Sequence, residues 1–427
     1  MVCKKKSKKV CAFVIIGVII FLATTCSAGA VPIEEWNRTF GGAYFDEAHS
    51  VQKVPDGGYI ILGWTNLWGT GEYGATWLIK IDAYGHEQWN RTYGANRVDK
   101  ISPTSDGGYN LKGWSDQNLW IMEIDSKGNE KWNKTNSVDK PPFHVEKGKY
   151  QMYWHSFKET TDGGFIYAGF NALSESTSDW HMRVVRVDNS GNEQWNLTSR
   201  RSQGDIAESV QQTSDGGYIV SGATESGALV LKLDANGNQQ WEKILGTKGE
   251  AWAVLQTSDS GYIILDNMNS DMSLIKMDAT GNEQWNRTFG GPNGEFGLSL
   301  KKTSDDGYIL AGYTKSFGAG DRDAWVIKTD ASGNEQWNKT FGGEKRDEFY
   351  FVNETSRGDY IIAGYTQSYG AGDRDAWVIR IKEPNASASE TTVPDINKPV
   401  EKSTPGFEIL GAMVSGVLLF HFMRKRT

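Results

Sequence analysis

The chain has 427 residues, of which 38% are hydrophobic and 12% aromatic, with 45 Lys and Arg against 53 Asp and Glu and a formal net charge of −8. A net-negative chain lacks the basic footprint that a phosphate backbone demands, which excludes nucleic acid as a partner class. Its 3 cysteines, Cys3, Cys11 and Cys26, all stand near the amino terminus, so the rest of the chain carries no disulfide framework.

Five lysines (Lys4, Lys5, Lys6, Lys8, Lys9) precede an apolar run from Val10 to Thr25 and an Ala28-Gly29-Ala30 site. A basic start, a short apolar stretch and small residues at the cut describe a secretory signal peptide over residues 1–30. The run is short for a membrane span, and Leu22 to Thr25 fits a lipobox before Cys26 poorly. Removing those five lysines from −8 leaves a mature chain near −13.

A tryptophan phrase then recurs seven times, from EEWNRTF at Glu34 to EQWNKTF at Glu335, with Trp36, Trp89, Trp132, Trp195, Trp241, Trp285 and Trp337 spaced 43 to 63 residues apart. Each unit adds a DGGYI-like turn (Asp56, Asp106, Asp162, Asp215, Asp259, Asp305, and RGDYI at Asp359), a Gly-bulky-Thr/Ser segment, and an apolar run such as WLIKID. The unit reads as four strands: a before DGG, b as YIILG, c as WLIKID and d as EQWNRTF. DGG and D-x-x-G-N are tight-turn chemistry, with glycine supplying positive φ and Asp bonding nearby backbone. Strands b and c are nearly continuous apolar runs, which implies burial on both faces. Four short strands in a period near 50 predict an all-β, seven-bladed β-propeller of four-stranded antiparallel blades over residues 31–382.

The ends specify the ring. A d phrase opens the series and the last repeat stops after WVIRIKE, so Ile33 to Phe40 is expected to pair with Ala376 to Ile381 and close blade 7. This arrangement resembles the WD-repeat and quinoprotein-like propellers, closure strand included, over roughly residues 33–382. The resemblance implies a closed ring and stops short of chemistry: strand c lacks the WD dipeptide, and no quinone-binding constellation is recognisable.

Residues 383–404 are rich in Pro, Ser, Thr and charge, the composition of a solvated stalk. Residues 405–427 hold Pro405-Gly406-Phe407, an apolar stretch from Ile409 to Met423, and Arg424-Lys425-Arg426, whose charge marks the cytoplasmic side. That layout resembles the PGF-CTERM sorting signal of archaeal surface proteins. The resemblance implies a sorting enzyme that cleaves near the motif and attaches a lipid; a retained transmembrane segment would also leave the propeller outside the cell, tethered to the membrane.

Eight N-x-S/T sequons occur, at Asn37, Asn90, Asn133, Asn196, Asn286, Asn338, Asn353 and Asn385. Six follow the strand-d tryptophan, on the outermost strand, where a glycan fits. The plainer alternative is that Asn and Thr stabilise an edge strand.

The d–a and b–c connections vary and share one face, here called the top; variable loops on a rigid scaffold are where function concentrates. The glycine-rich b–c loops of repeats 6, 7 and 1 present Phe317, Tyr369, Trp68 and Tyr73, aromatics suited to stacking on sugar rings or anchoring a partner. Repeat 3 carries an insertion from Asn136 to Tyr153 with His144. One strand-a slot near the top of the channel is unusually diverse across the repeats: His49, Asp99, His155, Glu208, Trp252, Leu298 and Tyr350. From this slot His49 and Trp252 are ligand-contact candidates. Asp321 with Asp323, and Asp373 with Asp375, are candidates for a calcium ion, although such residues more often cap backbone N–H groups.

No HExxH, GxSxG, phosphate-binding glycine loop or cysteine nucleophile is present, and 12 of the 17 tryptophans belong to the repeat and read as core. The expectation is a non-enzymatic, cofactor-free propeller of the cell surface that binds an envelope glycan or surface protein. The alternatives are a polysaccharide-acting enzyme, signalled by two facing carboxylates in a top-face pocket, and an S-layer-associated scaffold.

Overall fold

The computed structural model of the protein describes residues 31–384 except 67–74, 95–96, 116–117, 137–150, 173–179, 200–203 and 247. The chain divides into two units, Met1–Ser387 and Ala388–Thr427, and every described residue belongs to the first. The expected signal peptide, residues 385–404 of the expected stalk with Asn385, the expected sorting motif (Pro405, Gly406, Phe407), Trp68, Tyr73 and residues 137–150 of the repeat-3 insertion, His144 included, lie outside the described residues. Among the described residues no helix is long and apolar enough to cross a membrane.

The described strands form seven four-stranded antiparallel sheets. Strand β1 (Ile33–Phe40) is set apart from its sequence neighbours. Blade 1 is β2 (Asp46–Lys53), β3 (Tyr59–Thr65), β4 (Ala75–Ile81) and β5 (Glu87–Thr92); blade 2 is β6 (Arg97–Pro103), β7 (Tyr109–Ser115), β8 (Asn118–Ile124) and β9 (Glu130–Asn136). Blade 3 is β10 (Gln151–Glu159), β11 (Phe165–Ala172), β12 (Trp180–Val187) and β13 (Glu193–Thr198); blade 4 is β14 (Ile206–Gln212), β15 (Tyr218–Thr224), β16 (Gly227–Leu233) and β17 (Gln239–Leu245). Blade 5 is β18 (Ala251–Gln256), β19 (Tyr262–Met268), β20 (Asp271–Met277) and β21 (Glu283–Phe289); blade 6 is β22 (Glu295–Lys302), β23 (Tyr308–Thr314), β24 (Asp323–Thr329) and β25 (Glu335–Phe341). Blade 7 combines β26 (Asp347–Ser356), β27 (Asp359–Thr366) and β28 (Asp375–Lys382) with β1, in the order β1-β28-β27-β26.

Closure follows the expected register, Ile33 opposite Lys382 and Phe40 opposite Ala376. The Trp377 indole adds a side-chain tie, donating from Nε1 to Asn37 Oδ1 at 2.6 Å. The outer edge of β28 is thereby paired within the ring, so blade 7 is completed to four strands like the others.

Blades pack through the apolar b and c strands. At the blade 7–blade 1 boundary Ile361, Ala363 and Val378 meet Val51, Tyr59 and Ile61, all buried. Six of the seven strand-d tryptophans reach forward onto the next blade. Trp36 packs edge-on to Tyr59, with ring centroids 6.1 Å apart, and donates to the Ala83 carbonyl in the next c–d hairpin at 3.0 Å. The hairpin glycine is required twice over: Gly85 has φ 81°, and a Cβ there would stand 2.8 Å from the Trp36 ring. Trp132 departs from the pattern at 38% exposed.

Beneath the apolar runs lies a charge the pattern conceals. The lysine of WLIKID is buried and grips the Asp of its own DGG turn: Lys80–Asp56 at 2.8 Å, Lys232–Asp215 at 2.9 Å, Lys276–Asp259 at 2.9 Å and Lys328–Asp305 at 2.8 Å. Arg186–Asp162 (2.6 Å) and Arg380–Asp359 (2.5 Å) repeat it in blades 3 and 7. In blade 2 the cation moves to strand d, where Lys131 binds Asp106 at 2.8 Å while Glu123 fills the usual lysine slot.

Candidate functional site at the channel mouth

The seven a strands (β2, β6, β10, β14, β18, β22 and β26) are the inner strands of their sheets. Each contains a β-bulge near its top end, and the extra residue is His49, Asp99, His155, Glu208, Trp252, Leu298 or Tyr350, skipped by the register of its sheet. The variable slot of the sequence is therefore the bulge residue of every blade. A bulged residue is freed from ladder pairing and re-aimed, which is why bulges gather beside binding sites. Constant repeats thus bring a variable residue to one mouth, six residue types over seven blades.

Two regions differ in chemistry. From blade 5 round to blade 1 runs an aromatic and arginine belt. Trp252 meets Phe296 at 5.2 Å, Phe296 stacks on Tyr313 at 5.8 Å, and Arg322 lies 4.5 Å over Tyr313 while pairing with Glu348 at 2.6 Å. The next blade repeats the clasp: Arg374 lies 4.5 Å over Tyr365 and pairs with Glu47 at 2.6 Å. His49 stacks on Tyr350 at 5.4 Å, across the closure of the ring. Burial, with Glu47 and Glu348 close by, raises the Tyr350 phenol above its ordinary range.

The other region, blades 3 to 5, is acidic. His155 Nδ1 lies 2.5 Å from Glu208 Oε2, joining two bulges on adjacent blades. Burial, reinforced by the Glu208 charge and opposed by His155, pushes the Glu250 carboxyl up to about 7. Asp266 is fully buried and neither of its oxygens meets a hydrogen-bond donor. Burial pushes it up to about 6; the nearby Glu250 and Asn267 amides offset only part of this.

Asp266 occupies a slot that is glycine in the other six blades, Gly63, Gly113, Gly169, Gly222, Gly312 and Gly364, each opposite the residue before the bulge. A Cβ at Gly222 or Gly364 would stand 1.9 Å from the Ile206 or Glu348 carbonyl. Blade 5 admits a side chain there, and Asn267 N donates to the corresponding Glu250 carbonyl at 3.1 Å. Glu250 and Asp266 escaped the sequence reading. The signal was YIILDNM standing where its neighbours read YIILGWT or YILAGYT.

The glycine-rich loops of blades 6 and 7 are clasps rather than free flaps. Asp347 N donates to the Arg322 carbonyl at 2.9 Å and Asp46 N to the Arg374 carbonyl at 3.0 Å, tying each loop to the next blade. Phe317 leans on Trp325 at 5.7 Å and Tyr369 on Trp377 at 5.8 Å, and the Tyr369 hydroxyl donates to the Gly342 carbonyl at 2.6 Å. Both rings keep an exposed edge, 43% for Phe317 and 47% for Tyr369.

The four calcium candidates do not converge. Asp321 pairs with Arg346 at 2.6 Å; Asp323 accepts from Gly320 N and Asp375 from Gly372 N, each at 2.9 Å; Asp373 is exposed. Asp323 and Asp375 are caps within their own loops. Among the described residues no group of three or more His, Cys, Asp or Glu is arranged to hold a metal.

Five of the six sequon asparagines on strand d bond within their own sheet. Asn338 donates to Glu335 at 2.6 Å and accepts from Trp325 Nε1 at 3.2 Å; Asn90 and Asn196 donate to Glu87 and Glu193, each at 2.5 Å, and Asn133 donates to Glu130. Asn37 accepts from Trp377, and Asn286 is half-buried on β21. Asn353 lies on β26, the inner strand of blade 7, away from the rim.

No family model and no curated protein matches the chain. Solved structures resemble it in fold. Selenomethionine-substituted virginiamycin B lyase from Staphylococcus aureus aligns at 11% identity and a TM-score of 0.50, over 81% of this chain and 98% of that one. Raptor from Chaetomium thermophilum aligns at 9% identity and 0.53, over 84% of this chain but only 30% of Raptor. A puromycin hydrolase S511A mutant complexed with PGG aligns at 12% identity and 0.51, over 80% of this chain and 52% of the hydrolase. At such identities the likeness is one of propeller architecture alone.

Proposed function

We propose that the chain is a secreted, surface-anchored propeller whose channel mouth binds a glycan of the cell envelope, without catalysing a reaction. The observation that carries this reading is the bulge ring: aromatic faces at Trp252, Tyr350 and His49 share one mouth with the His155–Glu208 pair. Aromatic rings cover the apolar faces of sugars, and carboxylates and imidazoles bond their hydroxyls. The leader and the sorting-signal resemblance support the location. The test is binding of the purified protein to isolated envelope polysaccharide, with Trp252→Ala and His155→Ala variants. Loss of binding in both supports the reading; undiminished binding in both removes the mouth from it.

A second reading rests on the raised Glu250. A carboxyl raised to about 7 with a second carboxyl, Glu208, close by fits the general acid of a two-carboxylate site, as in an enzyme acting on polysaccharide. Release of new reducing or unsaturated ends from envelope glycan, abolished by Glu250→Gln, would favour it over simple binding.

A further inference from the structure

One level below the bulges, a second ring of equivalent positions lines the inner strands. The third residue after each bulge is Gln52, Ser102, Lys158, Gln211, Leu255, Lys301 or Asn353, and each pairs with the residue following the first aromatic or Tyr of its b strand, from Ile60 in blade 1 to Ile361 in blade 7. This waist contains two lysines and no acid. Lys158 on β10 and Lys301 on β22 belong to inner strands of blades 3 and 6, on opposing sides of the seven-bladed ring.

Lys158 is solvent-accessible on its inner strand and Lys301 half-buried; their partners set them apart from the buried lysines of the c strands. Lys80, Lys232, Lys276 and Lys328 each hold an aspartate. Among the described residues no carboxylate lies within ion-pair distance of Lys158 or Lys301; the latter's ammonium instead stands 5.7 Å over the Phe351 ring. Enclosure lowers both ammoniums, and the Lys158 charge holds Lys301 down further, to about 8. Two like charges on one ring of inner strands, with no carboxylate between them, oppose each other unless something negative answers them. At the same level a cleft of ≈ 280 Å³ opens between blades 1 and 2, with Gln52 and Ser102 of the waist ring among its lining residues.

We propose that the channel waist is an oxyanion-binding site in which Lys158 and Lys301 grip one sulfate, phosphate or carboxylate group from opposite sides. The amides of Gln52 and Asn353 and the hydroxyl of Ser102 supply neutral donors in the same ring. Three sources share this chemistry: free inorganic anions, phosphorylated groups and acidic sugars. The site stands independently of the mouth above it, since neither lysine contributes to the His155–Glu208 group.

The experiment titrates the purified protein calorimetrically with sodium sulfate, sodium phosphate and sodium glucuronate, against sodium chloride at matched ionic strength. Saturable binding of at least one oxyanion, with none for chloride, is expected, together with a rise in melting temperature. Lys158→Met and Lys301→Met should each weaken it at least tenfold, while Lys302→Met, which removes an exposed cation paired with Asp306, should not. The Met variants should also melt higher than wild type in chloride and lose that advantage in the oxyanion, a reversal that a fold defect does not produce. Which anion binds tightest identifies the source. Equal response to chloride and all three oxyanions, or unchanged binding in the two Met variants, overturns the proposal.

Discussion

His155 and Glu208 meet at 2.5 Å across the boundary of blades 3 and 4, each the one residue its strand leaves out of the ladder. The pair shows how this propeller creates chemistry from repetition. The bulge is a constant of the backbone, and its side chain is the variable; adjacent bulges then compose contacts that no single repeat contains.

The acidic region should make stability fall with pH. Asp266 and Glu250 have folded-state values near 6 and near 7, above the ordinary carboxylate range. Groups raised on folding favour the native state most below their unfolded values, about 4, and that contribution disappears as pH rises through 6 to 7. Asp266→Asn should therefore leave melting nearly unchanged at pH 4.5 relative to wild type, within about 1 kcal/mol, and stabilise by on the order of 2 kcal/mol at pH 8. Thermal melts of the two proteins across that range decide it; parallel curves would show that Asp266 is not held protonated.

The DGG aspartates titrate the other way. Partners lower Asp215 and Asp259 to about 2, with Thr213 and Lys232 acting on the first and Thr257 and Lys276 on the second, against the burial that opposes them. Their contribution is present above the unfolded value near 3.9 and is lost as pH falls through about 2. Asp305→Asn at neutral pH leaves the Lys328 ammonium, 1% exposed, with only neutral partners. Removing one member of a buried pair costs about 3 kcal/mol, visible as a lower urea midpoint with unchanged slope. An unaltered midpoint would mean that the Thr329 carbonyl and Gln336 suffice.

Glycosylation and scaffolding at the strand-d sequons can be separated in protein made without glycans. Asn338→Ala removes the bonds to Glu335 and Trp325 and should destabilise by about 1 kcal/mol. Thr340→Ala destroys the same sequon but keeps Asn338, and should lower melting far less. If the two variants melt alike, the asparagine has no special structural part.

Closure gives the largest effect. Deleting residues 31–42 removes β1 and its ladder to β28, leaving an unpaired strand edge. The shortened chain should aggregate or melt several degrees lower, since each kcal/mol of lost stability moves a domain of this size by roughly 1 to 2 °C. A soluble deletion variant with unchanged melting would refute a load on that ladder.

The ring, its blade count and the closing strand were legible because repetition writes the same local physics seven times: turn glycine, apolar run, forward-reaching tryptophan. The site was only partly legible. The slot holding His49 and Trp252 stood out by its diversity, but a bulge leaves no mark in hydrophobic periodicity, so its meaning was hidden. The glycine-rich loops suggested free aromatics, and their tie to the next blade depends on parallel bridges, Phe45 to Arg374 and Arg322 to Arg346, that join distant segments. The buried lysines were concealed inside apolar strands because their partner, the DGG aspartate, already had an explanation as a turn residue.

The central claim is tested most directly by measuring binding of the purified protein to isolated cell envelopes, before and after removal of their glycans, beside a Trp252→Ala/His155→Ala double variant. The account predicts saturable binding by wild type that disappears with the glycans and is at least tenfold weaker in the variant. Binding that survives glycan removal, or that the variant retains in full, would contradict it.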